Sequence, residues 1–508
     1  MIWHIFQKDC RQVWRLAAIV AFAHMANAAL RLVLGPFNQP RGLVTFAELF
    51  SVATLLGMCA LIVAAVQEDV VPGASQDWLI RPIRRRDLLA AKLLFVVVVA
   101  QGPALLADIV HGIVAGLGLG DSVSAALSRS AVMVLVFDMP VLGLAAISST
   151  LVQVMGTVIG IWLAVMVGVF AGILARGGAP PAFANSGIQW MTPAYWSVLA
   201  CSAAAVIIPL QYFRRATKES RRIVVGAVLL APVLSVSAWT SAFAVQQQLS
   251  PHAPFAESIR LAFAADTSAV SSIPAGTNTR TLLVPLLVSG LPADTVLLND
   301  RAEIHLVASD GATLYRGKTT PTLGYGNDFV VRTTDGGEVR TRQQIVLPEQ
   351  VYARLRNQSV RMEIDYSLTL LERSGAATIP ARDGDQRMAA FGRCRSRIDD
   401  DGDEIELGCL RSGPAPTCVS ATLESVRGGP RNPTHWSCDP DYSPFQVHLY
   451  PAATSRFTTS VDLTDLRETM EPAADRSQLD DALVRIKSYQ PAGHFTRRLV
   501  VPEIHVLP

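Results

Sequence analysis

The sequence predicts a membrane all-α fold of about seven transmembrane helices, followed by a β-rich, sandwich-like extracytoplasmic domain. Three observations carry this. Half of the 508 residues are hydrophobic and only 17 % are charged, with a mean hydropathy of +0.33, the balance of a chain that lives partly in lipid. The charge divides near residue 246: residues 1–246 hold 17 Lys/Arg against 10 Asp/Glu, net +7, and the remainder holds 27 against 32, net −5. At the same place the hydrophobic pattern changes from runs long enough to cross a bilayer to short alternating stretches.

The first half opens with an amphipathic cytoplasmic lead, residues 1–15, bearing Lys8, Arg11 and Arg15. A cleaved signal peptide is the competing reading, but further spans follow and no small-residue cleavage site stands out. Apolar runs of roughly 20 residues, the length a span needs, then fall at 16–36, 44–66, 90–116, 130–150, 152–175, 195–213 and 223–246. Residues 16–246 are therefore read as the transmembrane domain. Pro103, Pro140, Pro209 and Pro232 lie inside these runs, which membrane helices tolerate when neighbours satisfy the freed carbonyls. Between the second and third runs lies QEDVVPGASQDWLIRPIRRRDLLAAK, residues 67–92, dense in Arg and Lys. With the N-terminus inside, 13 Lys/Arg fall in or beside cytoplasmic segments and four (Arg31, Arg41, Arg129 and Arg176) on the other side. The positive-inside rule selects that orientation in an inner (plasma) membrane. An odd number of spans then sends the C-terminal domain to the periplasmic side. Residues 177–196, rich in Gly, Pro and aromatics, read as an external loop or a re-entrant segment.

After a linker at 247–280, with a short helix around Glu257–Ala265, strands are expected over residues 281–508. The clearest is Val360–Leu370, where Val360, Met362, Ile364, Tyr366, Leu368 and Leu370 alternate with polar residues, one face buried and one wet. Thr281–Val288, Ala302–Val307, Phe329–Thr333, Phe445–Tyr450, Phe457–Val461 and Arg498–Val506 read as further strands, and Leu347–Leu355 as a helix. Asp310-Gly311 and Asp335-Gly336-Gly337 supply turns.

Cys394, Cys409, Cys418 and Cys438 form an even set in this polar half. In a translocated domain such a set makes two disulfides; in a reducing compartment a metal site is the natural reading. An Asp401-Gly402 turn of type I′ geometry would set Ile398 opposite Ile405 and Cys394 opposite Cys409, leaving Cys418 with Cys438, although four cysteines allow three connectivities. Two decoys fall away. GATLYRGKTT (311–320) has five residues between its glycines where a phosphate-binding loop has four. DDDGDE (399–404) has Arg397 before it and Gly408 where a bidentate Glu would sit, so it is better read as a solvated turn than as a calcium loop. The His residues show no metal spacing, and no nucleophile–base set stands out. Within the spans, Asp108 and His111 share a helix face, and Asp138, together with His24, Asn27 and Arg31, adds further polar intrusions. Buried ionisable groups in lipid are functional candidates; pairing between helices is the bland alternative.

Residues 1–220 resemble the permease subunits of the type-2 ABC exporter class. The likeness rests on the amphipathic start MIWHIFQKDCRQVWR and on the 67–92 loop, where an acidic, Gly-containing segment precedes Pro-Ile-Arg and a helix reading LLAAKLL. A tight hairpin between runs four and five and an external segment before run six complete it. The resemblance implies a role as membrane subunit of an exporter, coupling a separate cytoplasmic ABC ATPase subunit to substrate movement between spans of a homodimer or heterodimer. Glu68, Asp77, Trp78, Arg81, Pro82, Arg85, Arg86 and Asp87 would then be the ATPase-coupling residues. A topological role for these arginines, binding anionic headgroups, is the plainer reading. No cofactor, metal, nucleic-acid partner or ATP hydrolysis by this chain is expected. The chain departs from that class in carrying a seventh span and an appended outer domain. The alternative reading is a non-transporting membrane anchor whose β domain binds an envelope partner or polymer, and a third is an outer-face enzyme.

Overall fold

The computed structural model describes residues 1–34, 41–67, 84–175, 191–249, 255–264, 269–274, 279–319, 330–333, 335–356, 358–388, 390–399, 404–412, 416–424, 434–438, 454–462 and 482–506. Its first half is helical. α1 (Ile2–Leu34) and α2 (Arg41–Gln67) are followed by a third span made of α3 (Arg85–Phe95), a π-turn at Val96–Ala100 and α4 (Gln101–Val114). The fourth span repeats that construction with α5 (Leu119–Met133), a π-turn at Val134–Asp138 and α6 (Met139–Ile147). α7 (Leu151–Ala175), α8 (Met191–Pro209) with a π-turn at Leu210–Arg214, and α9 (Thr217–Leu249) complete the half. Six helical stretches among the described residues are long and apolar enough to cross a membrane. α9 contains the seventh predicted run as one unbroken helix with Pro232 inside it.

Two boundaries differ from the sequence reading. The lead is not a separate segment: residues 2–34 form one continuous helix, so residues 1–15 extend the first span. The fourth span begins at Leu119, not near 130: Ser122 and Ala126 face the interior, while Asp121, Ser124, Ser128, Arg129 and Ser130 dilute the apolar signal. Arg129 therefore lies within a span and not in an outer loop.

Consecutive spans run antiparallel, and contacts at one end establish it. Gln67 Nε2 at the end of α2 donates to the Ser148 carbonyl (3.4 Å) between α6 and α7, and Arg221 Nη2 of α9 donates to the Ile147 carbonyl (3.4 Å). The start of α1 and Arg84–Asp87 share this end. The α4–α5 turn lies at the other.

The second half is built of strands: β1 (Arg260–Phe263), β2 (Ala269–Pro274), β3 (Thr279–Leu291), β4 (Thr295–Ala308), β5 (Thr313–Thr319), β6 (Val330–Thr333), β7 (Gly337–Pro348), β8 (Val360–Pro380), β9 (Asp385–Met388), β10 (Gly392–Ile398), β11 (Glu404–Ser412), β12 (Cys418–Glu424), β13 (Thr434–Cys438), β14 (Thr454–Asp462) and β15 (Leu483–Val506), with α10 (Glu349–Leu355) after β7. Strands thus begin inside the predicted linker, and the Glu257–Ala265 stretch is a 3-10 turn at Ala256–Ser258 followed by β1, not a helix. Of the remaining expected elements, Phe445–Tyr450 lies outside the described residues. Thr281–Val288, Ala302–Val307, Val360–Leu370, Phe457–Val461 and Arg498–Val506 fall within β3, β4, β8, β14 and β15, and the described part of Phe329–Thr333 is β6. The expected helix at Leu347–Leu355 begins only at Glu349, Leu347 and Pro348 ending β7.

An 11-stranded sheet and a 4-stranded sheet, the latter ordered β14-β11-β10-β9, divide these strands. β8 and β15 pair antiparallel from Val360↔Ile504 to Pro380↔Leu483 and form the spine. At its open end Val360, Met362, Ile364, Tyr366, Leu368 and Leu370 enter one core with residues of β3, β4 and β7. At its closed end Ile379, Val484 and Ile486 enter a second core with Phe391, Ile405, Leu407 and Val461. Period-2 alternation would keep one face inward along all of β8. The switch comes at Leu370 and Leu371, both buried, opposite the register shift at Pro491/Gly493 in β15. A bulge of this kind rotates the strand so that its two ends serve two sandwiches.

Candidate functional site

Three buried polar contacts follow one another along the third span. The first joins it to α1. Lys92 Nζ lies 2.7 Å from Asp9 Oδ2 and 2.6 Å from the Ala65 carbonyl, and the two side chains are 1 % and 0 % exposed. An ion pair in lipid costs little only when both charges are paired and further hydrogen-bonded; here the α2 carbonyl supplies an additional acceptor. The pair fastens the start of α1, the end of α2 and α3 together.

The second contact lies between the two π-turns. Gln101 Nε2 donates to Asp138 Oδ2 (2.7 Å) and approaches Met58 Sδ of α2 (3.6 Å), while Asp138 Oδ1 has no hydrogen-bond partner among the described residues. Each π-turn displaces one backbone hydrogen bond of its helix, a feature found often at functional sites.

The third is a cluster nearer the α4–α5 turn. Arg129 of α5 pairs with Asp108 of α4. On α1 and α2, Asn27 and Ser51 hydrogen-bond each other (3.1 and 3.2 Å), and Arg31 Nη2 donates to Ser51 Oγ (3.1 Å). His111 lies within electrostatic reach of Arg31 and Arg129, and His24 within that of Arg129. α4 and α5 approach so closely that a β-carbon at Gly112 would lie 2.6 Å from Ser122 Oγ.

The cluster thus brings Asp108 and His111 together, with His24, Asn27 and Arg31 beside them, and leaves Asp138 apart with Gln101. For Asp108 the interhelical-pairing alternative describes what is found. Of the coupling residues, Glu68, Asp77, Trp78, Arg81 and Pro82 lie outside the described residues. Arg85, Arg86 and Asp87 open α3. Asp87 in the first turn suits the positive end of the helix dipole. Arg84 to Arg86 are exposed, and the Arg85 guanidinium donates to the Phe213 carbonyl at the end of the α8 π-turn, where Arg215 closes the helix at φ 57°. Sequence reasoning missed Asp9, Gln101 and Arg129. Lys92 carried the one usable signal: LLAAKLLF surrounds it with apolar residues on both sides, unlike the arginines before it.

At the opposite end, Arg387 of β9 lies 3.2 Å from Asp121 in the first turn of α5. The Arg393 side chain rests over Gly116, where a β-carbon would lie 2.8 Å from its Cδ. The β domain therefore sits on the end of the bundle remote from Arg84–Arg86. Within it, Cys394 pairs with Cys409 and Cys418 with Cys438 as disulfides. Each joins directly opposed residues of an antiparallel pair, β10–β11 and β12–β13. The Asp399 carboxylate accepts from the Glu404 N–H (2.9 Å). Among the described residues no group of three His, Cys, Asp or Glu side chains is placed to hold a metal.

No family model and no curated protein matches this sequence. Among solved structures, red sea bream transglutaminase is 9 % identical over 49 % of the chain with a TM-score of 0.12, and a protein named pT26-6p is 7 % identical over 54 % with a TM-score of 0.11. The chain spans 31 % of the length of the first and 70 % of the second. Likeness this slight carries no argument about fold or activity.

Proposed function

We propose that this chain is the membrane subunit of an exporter of the type-2 ABC class, worked by a separate cytoplasmic ATPase at the end of the bundle bearing Arg84–Arg86, with the β domain outside. The observation that supports this most is the buried Asp9–Lys92 pair with its Ala65 acceptor. With the Arg85–Phe213 contact it ties α1, α2, α3 and α8 into one unit at that end. A force applied there moves four helices together, which a subunit without ATP chemistry requires if it is to respond to differential contacts with a partner's two states.

The test is a search of the neighbouring genes for an ABC ATPase and its co-purification with the full chain, followed by ATPase assay in proteoliposomes. The expected result is a stable complex whose activity falls on Arg85→Glu/Arg86→Glu substitution. Failure to capture an ATPase, together with unchanged function of the double variant, overturns the reading.

The second reading is a non-transporting anchor whose β domain holds an envelope partner or polymer. It is favoured by a depression of about 180 Å³ between β13 and the β11–β14 pair, lined in part by Glu404, Glu406, His435 and Ser437. Thr459 also lines it, with a buried hydroxyl that lacks a partner among the described residues. Capture of a partner that Glu404→Gln abolishes, in cells lacking the ATPase, would favour it.

A further inference from the structure

Four helices leave a space between them. α7 and α9 meet closely where Pro232 reaches Gly168: a β-carbon at that glycine would lie 2.6 Å from the proline ring. On the Arg84–Arg86 side of that contact the walls of α7 and α9 face an empty volume, closed behind by α6 and α8. Small residues keep it open, among them Gly143, Ala200 and Ala227. The volume is about 320 Å³, roughly twice the 150 Å³ of an apolar protein cavity that stays dry and takes up benzene.

Its shape narrows the choice of occupant. On α8 the wall runs from Trp196 to Ile207, about 16 Å at a rise of 1.5 Å per residue and close to half of a hydrocarbon core roughly 30 Å thick. A helix about 10 Å across does not fit that volume over that length. Apart from the indole N–H groups of Trp162 and Trp196, the lining is aliphatic, aromatic or glycine, short of the roughly three polar partners that hold a buried water. Val158 and Trp162 line the space and are themselves 40 % and 59 % exposed, which makes the opening lateral, toward the surface that a bilayer would cover.

We propose that this cavity is a binding site for one acyl chain of a membrane lipid, entering sideways past Val158 and Trp162 and lying parallel to the helices. The site is independent of the transport reading, because it needs neither an ATPase nor movement of the bundle.

The test uses the full chain in nanodiscs of phosphatidylcholine doped with a phosphatidylcholine that carries a diazirine midway along one chain. Adducts are mapped by mass spectrometry. A bound chain places adducts on the inner walls around Ala200 and Ala227 as well as on Leu229 and Phe170, which face outward at 70 % and 63 % exposure. Ala200→Phe and Ala227→Phe, on different helices, are expected to remove the inner adducts and leave the outer ones. Adducts on Leu229 and Phe170 with none on the inner walls of the wild type overturn the proposal, as does survival of the inner adducts in both filled variants. Should both filled variants fail to fold, the presence or absence of inner adducts in the wild type decides alone.

Discussion

Lys92 shows how far a residue's neighbours in sequence can mislead about its neighbours in space. It closes a basic loop in sequence, yet its ammonium is 1 % exposed and held by Asp9, 83 positions away. Removing the cation from a buried pair strands the carboxylate, which typically costs about 3–5 kcal/mol, whereas removing both charges is often nearly neutral. Lys92→Met is therefore expected to lower the melting temperature of the solubilised protein sharply, and Asp9→Leu/Lys92→Met to recover most of the loss. Melting of Lys92→Met at the wild-type temperature would show that the pair contributes nothing. Asp108 and Arg129 follow the same logic, but only Asp108 was legible in sequence. Arg129 sits among serines in SAALSRSAV, where polar spacing suggests a loop and only burial against α4 reveals a helix.

At the scale of elements, the β domain depends on its longest strands and its staples. The Cys394–Cys409 bridge could be read from the sequence because an Asp-Gly pair predicts a two-residue turn, and the register it implies places the two cysteines opposite each other, the register found in β10 and β11. Asp401 and Gly402 themselves lie outside the described residues. Cys418–Cys438 followed only by elimination. Each bridge closes a short chain loop, 15 and 20 residues apart, for which constraint of the unfolded chain is worth roughly 3 kcal/mol. Thiol alkylation of the unfolded protein without reductant should leave all four unlabelled, and labelling of all four would refute both bridges.

The junction between the two cores has a different support. Asp294 lies 2.6 Å from Arg373, 2.9 Å from Lys487 and 3.0 Å from the Tyr489 hydroxyl. Partial burial pushes its carboxyl up, but hydrogen bonds from Lys487 and Tyr489 and the charges of Lys487 and Arg373 outweigh that and leave it below the usual range. A carboxylate depressed in the folded state stabilises above its unfolded value, about 3.9, and that stabilisation is lost as pH falls through the lower folded value. The domain should therefore lose stability on acidification below about pH 4, with Asp294→Asn flattening the dependence. A wild-type melting curve parallel to that of the variant between neutral and acid pH would exclude this role. Nothing in the sequence marked Asp294, since its partners come from strands far along the chain.

For the whole molecule, the contacts put the β domain and the Arg84–Arg86 cluster at opposite ends of the helices, and the proposed orientation assigns those ends to the outside and the cytoplasm. Asp310→Cys, on an exposed turn, should then react with a membrane-impermeant maleimide on intact cells. Arg86→Cys should react only after permeabilisation, and the reverse pattern would invert the topology. The sequence by itself determined what depends on one-dimensional pattern: which half belongs in lipid, where most spans and strands lie, and which cysteines face each other across a local turn. Hydrophobic period and turn chemistry act over a few residues, so they survive in the linear text. Only the tertiary structure decided the polar contacts through the bundle, the bulge that lets β8 serve two cores, the acid-sensitive junction and the apolar cavity. Each arises where side chains from distant segments meet, and burial and the distance between charges exist only once those segments have packed.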